Sequence, residues 1–270
     1  MPRANGWCSA STPHAGTAAE HCRIEQWYYS AATQAFECIG VTETHPAHTH
    51  QNKPMRSIPR SLAVGSAVLL GGVLVFVLLA SALTPGSPMI RFDQVLSDAS
   101  RANLAPWALQ LFAALTHLAD TATLTVLCTV GTLVLLARHQ RGLALAWVLA
   151  TAGNGVLNQR LKTLIGRVRP LDREGDLLAQ GLSFPSGHSS GAVVAYGMLA
   201  YLALRLLPKA WHLPVLVAAL ALALTVGISR VVLRVHFASD VAAGFASGSA
   251  WLALCITGAE LMRRWRDKRS

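Results

Sequence analysis

Six stretches of this chain are apolar and free of charged residues for sixteen residues or more: 61–84, 121–137, 142–159, 189–204, 213–229 and 241–259. Within them apolar side chains occur all round the helical wheel instead of along one stripe, the pattern of a helix with no aqueous face. Lengths near twenty residues match the thickness of a bilayer's hydrocarbon core at 1.5 Å of rise per residue, and Arg and Lys at the borders extend the shorter ones by snorkelling. A seventh uncharged window, 102–117, is interrupted by Pro106 and polar positions. It reads as an interfacial helix or lid before the second span. The fold class expected is therefore all-α, a polytopic bundle of about six transmembrane helices.

Composition agrees. Hydrophobic residues make up 53% of the 270 residues and charged ones only 13%, where soluble domains carry about 25% charged residues. The net charge of +10 does not point to nucleic acid, because the basic residues gather at the ends of apolar runs, where membrane topology puts them. With the N-terminal side of the first span taken as cytoplasmic, the cytoplasmic segments hold Lys53, Arg56, Arg60, Arg138, Arg141, Arg205, Lys209 and the basic tail 263–270. The opposite side holds Arg91 and Arg101, balanced by Asp93 and Asp98. It also holds a second basic group, Arg160, Lys162, Arg167, Arg169, Arg173, Arg230 and Arg234. That group runs against the positive-inside bias and needs a cause such as phosphate chemistry.

Residues 1–54 differ from the rest. They are polar, carry five of the ten histidines (His14, His21, His45, His48, His50) and lack helical periodicity. They are expected to be a disordered tail, or to follow from a start codon assigned too early, with Met55 opening the natural chain; no cleavable signal peptide is evident. The bundle domain is then 55–262. The five cysteines form no CxxC pair, so neither a zinc site nor a disulfide framework is expected.

Three blocks carry the chemistry. In the first, Lys162 and Arg169 lie seven residues apart, nearly two helical turns, which puts both on one helix face, with Pro170 stopping the helix. Two such cations grip an anion, Arg as a planar fork and Lys as a point charge; a headgroup anchor is the plainer reading. The second, Phe184-Pro185-Ser186-Gly187-His188, opens the fourth span. Ser suits an N-cap, Gly187 admits a ligand close to the backbone, and a helix N-terminus favours an anion. In the third, Arg230 precedes an i,i+4 pair, His236 and Asp240. A carboxylate beside an imidazole fixes its tautomer and leaves the other nitrogen free to attack; a capping contact is the alternative. The expected topology puts all three blocks on the non-cytoplasmic face.

Lys-x6-Arg-Pro, Pro-Ser-Gly-His and Ser-Arg-x5-His-x3-Asp, taken together, resemble the three-part signature of the type 2 phosphatidic acid phosphatase family, over roughly residues 61–260. The resemblance implies a membrane lipid phosphatase in which Lys162, Arg169 and Arg230 bind the phosphoryl oxygens, with Ser186 and Gly187 adding hydrogen bonds. It implies that His236 attacks phosphorus, Asp240 orients it, and His188 protonates the leaving group. Arg160, Arg167, Arg173 and Arg234 fall outside the matched positions and are left a role in attracting substrate. No carboxylate cluster suited to two metals lies near the blocks, so no metal and no cofactor is expected.

Vanadium haloperoxidases resemble the same blocks but are soluble, and a lipid-phosphate transporter would place its ionisable groups near the bilayer midplane. Among substrates, undecaprenyl pyrophosphate, phosphatidylglycerol phosphate and phosphatidic acid compete, with a lipid A phosphate group behind them. Choice among them is expected to depend on residues 90–120 and 171–182, both bordering the site. A bacterial inner membrane, with the site on the periplasmic side and both termini cytoplasmic, is the expected setting.

Overall fold

Helix α1 (Arg60–Ser81) begins the part of the chain that the computed structural model describes, residues 60–102, 104–169 and 181–269. All of these fall in the unit Ser57–Ser270. The expectations for residues 1–54, for Arg173 and Pro170 and for most of 171–182 lie outside the described residues. After α1 come α2 (Pro88–Ala102), α3 (Pro106–Thr116), a 3-10 turn (His117–Ala119), α4 (Thr121–Ala137) and α5 (Arg141–Ile165). Then follow α6 (Gly187–Leu206), a second 3-10 turn (Lys209–Trp211), α7 (His212–Val232) and α8 (Ala238–Arg266). Among the described residues there is no strand, only an isolated bridge between Val168 and Leu182.

The protein is an all-α membrane bundle, and each of the six apolar stretches lies on a helix. Among the described residues four helices are long and apolar enough to cross a membrane unaided: Ser61–Ser81, Gly187–Leu206, Lys209–Val232 and Ala238–Arg266. A fifth span arises if α3 and its 3-10 turn, bent 43° from α4, count with α4 as one broken crossing. The expected six is thus not reached on these criteria. The difference comes from α5, whose 25 residues reach about 37 Å but carry a polar face. Asn154 and Asn158 on that face are buried and both donate to the Ser190 hydroxyl on α6. The window 102–117 is a short helix started by Pro106, whose missing N–H costs nothing in a first turn.

The centre of the bundle is a seam of small residues. Helix α6 buries Ser189, Ser190, Gly191 and Ala192 in succession, and α8 answers with Ala243, Gly244, Ala246, Ser247 and Gly248. Lipid tails give helices no hydrophobic reason to associate, so close backbone approach and packing must hold them. Gly244 shows how close: a Cβ there would lie 2.6 Å from the Ser186 carbonyl and 2.9 Å from the Ser189 Cβ. This contact fixes the N-terminus of α6 against the first turns of α8 and so sets the distance between the second and third sequence blocks. At the other end of the same pair, Tyr201 Oη donates to Glu260 at 2.8 Å and Arg205 pairs with the same carboxylate.

Replacing Gly244 by Val forces backbone apart, an overpacking cost of about 1–3 kcal/mol. We expect a lower thermal midpoint in detergent, read by tryptophan fluorescence. Gly71→Ala, where nothing lies within 4 Å, leaves the midpoint unchanged or raises it.

Candidate active site

The ends of four helices meet at one end of the bundle. Helix α5 finishes at Ile165 because Gly166 takes a left-handed conformation, φ +69°, and caps it with a bond from its N–H to the Lys162 carbonyl. Residues 166–169 are not helical, so Arg169 does not share a helix face with Lys162 as the seven-residue spacing predicted. Both cations nevertheless line the same cavity. Lys162 Nζ donates to the Leu182 carbonyl at 2.6 Å, and Arg169 Nη1 to the Val235 carbonyl at 3.3 Å.

Ser186 caps α6: its hydroxyl accepts from Ser189 Oγ at 2.9 Å and from the Ser189 N–H at 3.4 Å, while its own N–H donates to the Asp240 carbonyl at 2.9 Å. Gly187 and His188 therefore sit half-buried in the first turn, where backbone N–H groups have no helical partner. His188 Nε2 meets Asp120 Oδ1 at 2.7 Å, and the other oxygen of Asp120 meets His117 Nδ1 at 2.6 Å. Burial favours the neutral Asp120 carboxyl, but the two imidazoles outweigh it and hold its pKa below the ordinary value.

His236 lies in the link between α7 and α8, not inside a helix, so the i,i+4 geometry expected of a continuous helix does not join it to Asp240. Asp240 instead reaches back over the start of α8 and accepts from the Phe237 N–H at 2.9 Å, which leaves its Oδ2 3.5 Å from His236 Nδ1. Ser183 Oγ donates to the same oxygen and lies 3.4 Å from His236 Nδ1. Burial of the imidazole pushes the His236 pKa down to about 4, and Arg169 and Arg230 press the same way against the opposing pull of Asp240. The ring is neutral at pH 7, with Nδ1 turned to the Asp240 and Ser183 oxygens. Arg230 is buried on α7, where Nη1 donates to Thr116 Oγ1 at 2.7 Å. The Nε–H groups of Arg230 and Arg169 are buried without a protein partner, which is unusual unless an anion completes them.

Some of these groups line a cavity of about 520 Å³. Lys162, Arg169, Gly187, His188 and His236 form its polar end, and it continues between α4, α5 and α6 past Thr125, Cys128, Thr151 and Gly155. Among the described residues no group of three His, Cys, Asp or Glu stands where a metal would be held.

The PAP2 superfamily model matches residues 142–263. Phosphatidylglycerophosphatase B of Bacillus subtilis (strain 168) is 34% identical over 199 residues, 72% of this chain and 96% of that protein. The chain belongs to the PAP2 superfamily. The crystal structure of a transmembrane PAP2-type phosphatidylglycerolphosphate phosphatase from Bacillus subtilis superposes with a TM-score of 0.66 at 31% identity, over 72% of this chain and 96% of that one. Aquifex aeolicus LpxE shares the fold, with a TM-score of 0.50 at 20% identity over 65% and 98% of the two chains. The protein is accordingly an integral membrane phosphatase of the PAP2 type, acting on a lipid phosphate.

Several residues of this PAP2 site were not singled out by the signature. Arg167, read as a lure for substrate, is instead bound to Asp240 at 2.7 Å and to Asp93 at 2.8 Å. Arg234 pairs with Asp98. Ser183, Thr116 and Asp120 touch the signature residues from segments far away in the sequence, Asp93 reaches Asp240 only through Arg167, and only the placing of 90–120 beside the site hinted at three of them.

The His236 shift carries a sign. An unfolded His titrates near 6.5 and the folded one near 4, so the unfolded chain binds the extra proton first. Stability is full above pH 6.5 and is lost as pH falls toward 4, by at most about 3 kcal/mol. Thermal midpoints should drop more steeply across that window for the native chain than for His236→Gln. Parallel curves would remove the buried neutral imidazole from the account.

Proposed function

We propose that this chain hydrolyses the phosphomonoester of a membrane lipid through a phosphohistidine on His236. What supports this reading above all is the convergence on one cavity of a neutral imidazole, a second histidine and Lys162 and Arg169, with unpartnered N–H groups on Arg169 and Arg230. His236 Nε2 attacks phosphorus while Nδ1 faces Asp240, which stabilises the cation that forms as the P–N bond is made. Lys162, Arg169 and Arg230, with the N–H of Gly187, take up the charge on the phosphoryl oxygens, while Ser186, whose own N–H is held by the Asp240 carbonyl, fixes that turn. His188, oriented by Asp120, takes up a proton as the anionic phosphate enters and gives it to the departing alkoxide as the P–O bond breaks. It then takes a proton from the water that attacks the P–N bond, which releases inorganic phosphate and restores His236. No metal is assigned a step.

Phosphatidylglycerol phosphate is the substrate we favour, on the strength of the Bacillus subtilis relative; phosphatidic acid and undecaprenyl pyrophosphate are the rivals. The groove between α4 and α5, walled by small and weakly polar side chains, suits an acyl chain entering from the bilayer. We place the site on the periplasmic face of a bacterial inner membrane and both termini in the cytoplasm, with residues 55–262 as the catalytic domain.

The test is phosphate release by the full chain in detergent across a panel of lipid phosphates, with and without EDTA. We expect release that EDTA leaves unchanged, and a loss of at least about 10³-fold in His236→Ala. An acid-labile phosphoprotein should be trapped by alkaline quench during turnover of the native chain and be absent from His236→Ala. Retained release by folded His236→Ala, or dependence on a divalent cation, overturns the mechanism.

A further inference from the structure

Arg167 is a cation inside the first signature block that does not line the cavity. Its guanidinium lies 4.3 Å over the Phe237 ring and divides its donors between two carboxylates. Nη1 reaches Asp240 Oδ1 and Ser239 Oγ, both at 2.7 Å, and Nη2 reaches Asp93 Oδ2 at 2.8 Å. Asp93, on α2, also accepts from the Ser239 N–H at 3.0 Å and from the Ser239 hydroxyl. The side chains are 12% exposed for Arg167, 1% for Asp93 and 0% for Asp240. Water screens this group little, so its charges act on one another more strongly than exposed pairs do. Oδ1 of Asp240 thus belongs to Arg167, while Oδ2 serves Phe237, Ser183 and His236.

We propose that Arg167 and Asp93 are positioning residues that set, through Asp240, the charge felt by His236. Asp240 alone would bind the imidazolium strongly and keep His236 protonated, and so unreactive, over a wider range of pH. Arg167 withdraws part of that carboxylate's charge. Asp93 draws Arg167 the other way, so that the guanidinium does not neutralise Asp240 entirely. The remaining charged or titratable groups facing His236 are Arg169 after α5, Arg230 on α7, and Lys162 and His188 across the cavity. None of these touches Asp93, which makes the Asp93–Arg167 arm separable by substitution. The proposal rests on His236 being the nucleophile.

The experiment compares kcat/KM for phosphatidic acid from pH 4 to 9 in the full chain and in Arg167→Met, Arg167→Lys and Asp93→Asn, with a thermal midpoint for each. We expect Arg167→Met to move the acid limb up by about 1 pH unit and to lower kcat/KM at pH 7 by about 10–100-fold, mainly through kcat. Arg167→Lys, which keeps the charge and loses the fork, should restore most of both. Asp93→Asn should lower the rate without raising the limb. If Arg167→Met does not fold, Arg167→Lys carries the test, with a smaller upward shift at an unchanged midpoint. An unshifted limb in folded Arg167→Met (or in Arg167→Lys, should Arg167→Met not fold), or rates that merely follow the midpoints, overturns the proposal. An active His236→Ala would instead sink the nucleophile assignment, so the two failures are distinct.

Discussion

A carboxylate with no exposure, set at the start of a membrane helix, is the constraint around which this end of the molecule is arranged. Stripping a carboxylate of water costs several kcal/mol even in a relaxed protein interior, and Asp240 survives because every direction around it is answered. Arg167 takes one oxygen, the Phe237 N–H and the Ser183 hydroxyl take the other, and the Asp240 carbonyl receives the Ser186 N–H. Those four partners come from three separate stretches of chain. The loop after α5, the approach to α6 and the α7–α8 link cannot move independently without leaving that charge bare.

The same demand explains why the seam between α6 and α8 is made of glycine, alanine and serine. Only backbones in near contact let Ser186 reach Asp240, and a side chain at Gly244 would push them apart. A tight seam here leaves volume elsewhere. The cavity opens on the opposite side of α6, toward α4 and α5, where the contacts are side-chain contacts such as Trp147 Nε1 to the Cys128 carbonyl. The tight seam and the cavity thus lie on different sides of α6.

How much of this could be seen in the chain itself depended on whether the interaction was local. Apolar runs without charge showed the helical bundle, and the three spaced blocks named the groups that converge, because each block lies within a dozen residues. Where the local geometry was not helical, the spacing misled. Gly166 turns the chain between Lys162 and Arg169, and His236 sits before α8, so neither pair is held by the i,i+4 or i,i+7 logic that suggested it. Partners drawn from distant segments, such as Asp93 for Arg167 and Asp120 for His188, left no periodic trace. A lone Asp beside an interfacial helix looks the same whether it faces water or a buried guanidinium. The count of spans suffered for a related reason: α5 spends one face on Asn154, Asn158 and the cavity, which dilutes its apolar signal.

The separation of walls has an evolutionary corollary. Substitutions at Thr125, Cys128, Thr129 or Thr151 reshape the groove without touching any atom that holds Asp240 or caps α6. With the acyl chain in that groove, as proposed, a lineage can drift from one lipid to another while the hydrolytic machinery stays under purifying selection. Divergence within such a family should accumulate on one flank of the bundle and be nearly silent on the other.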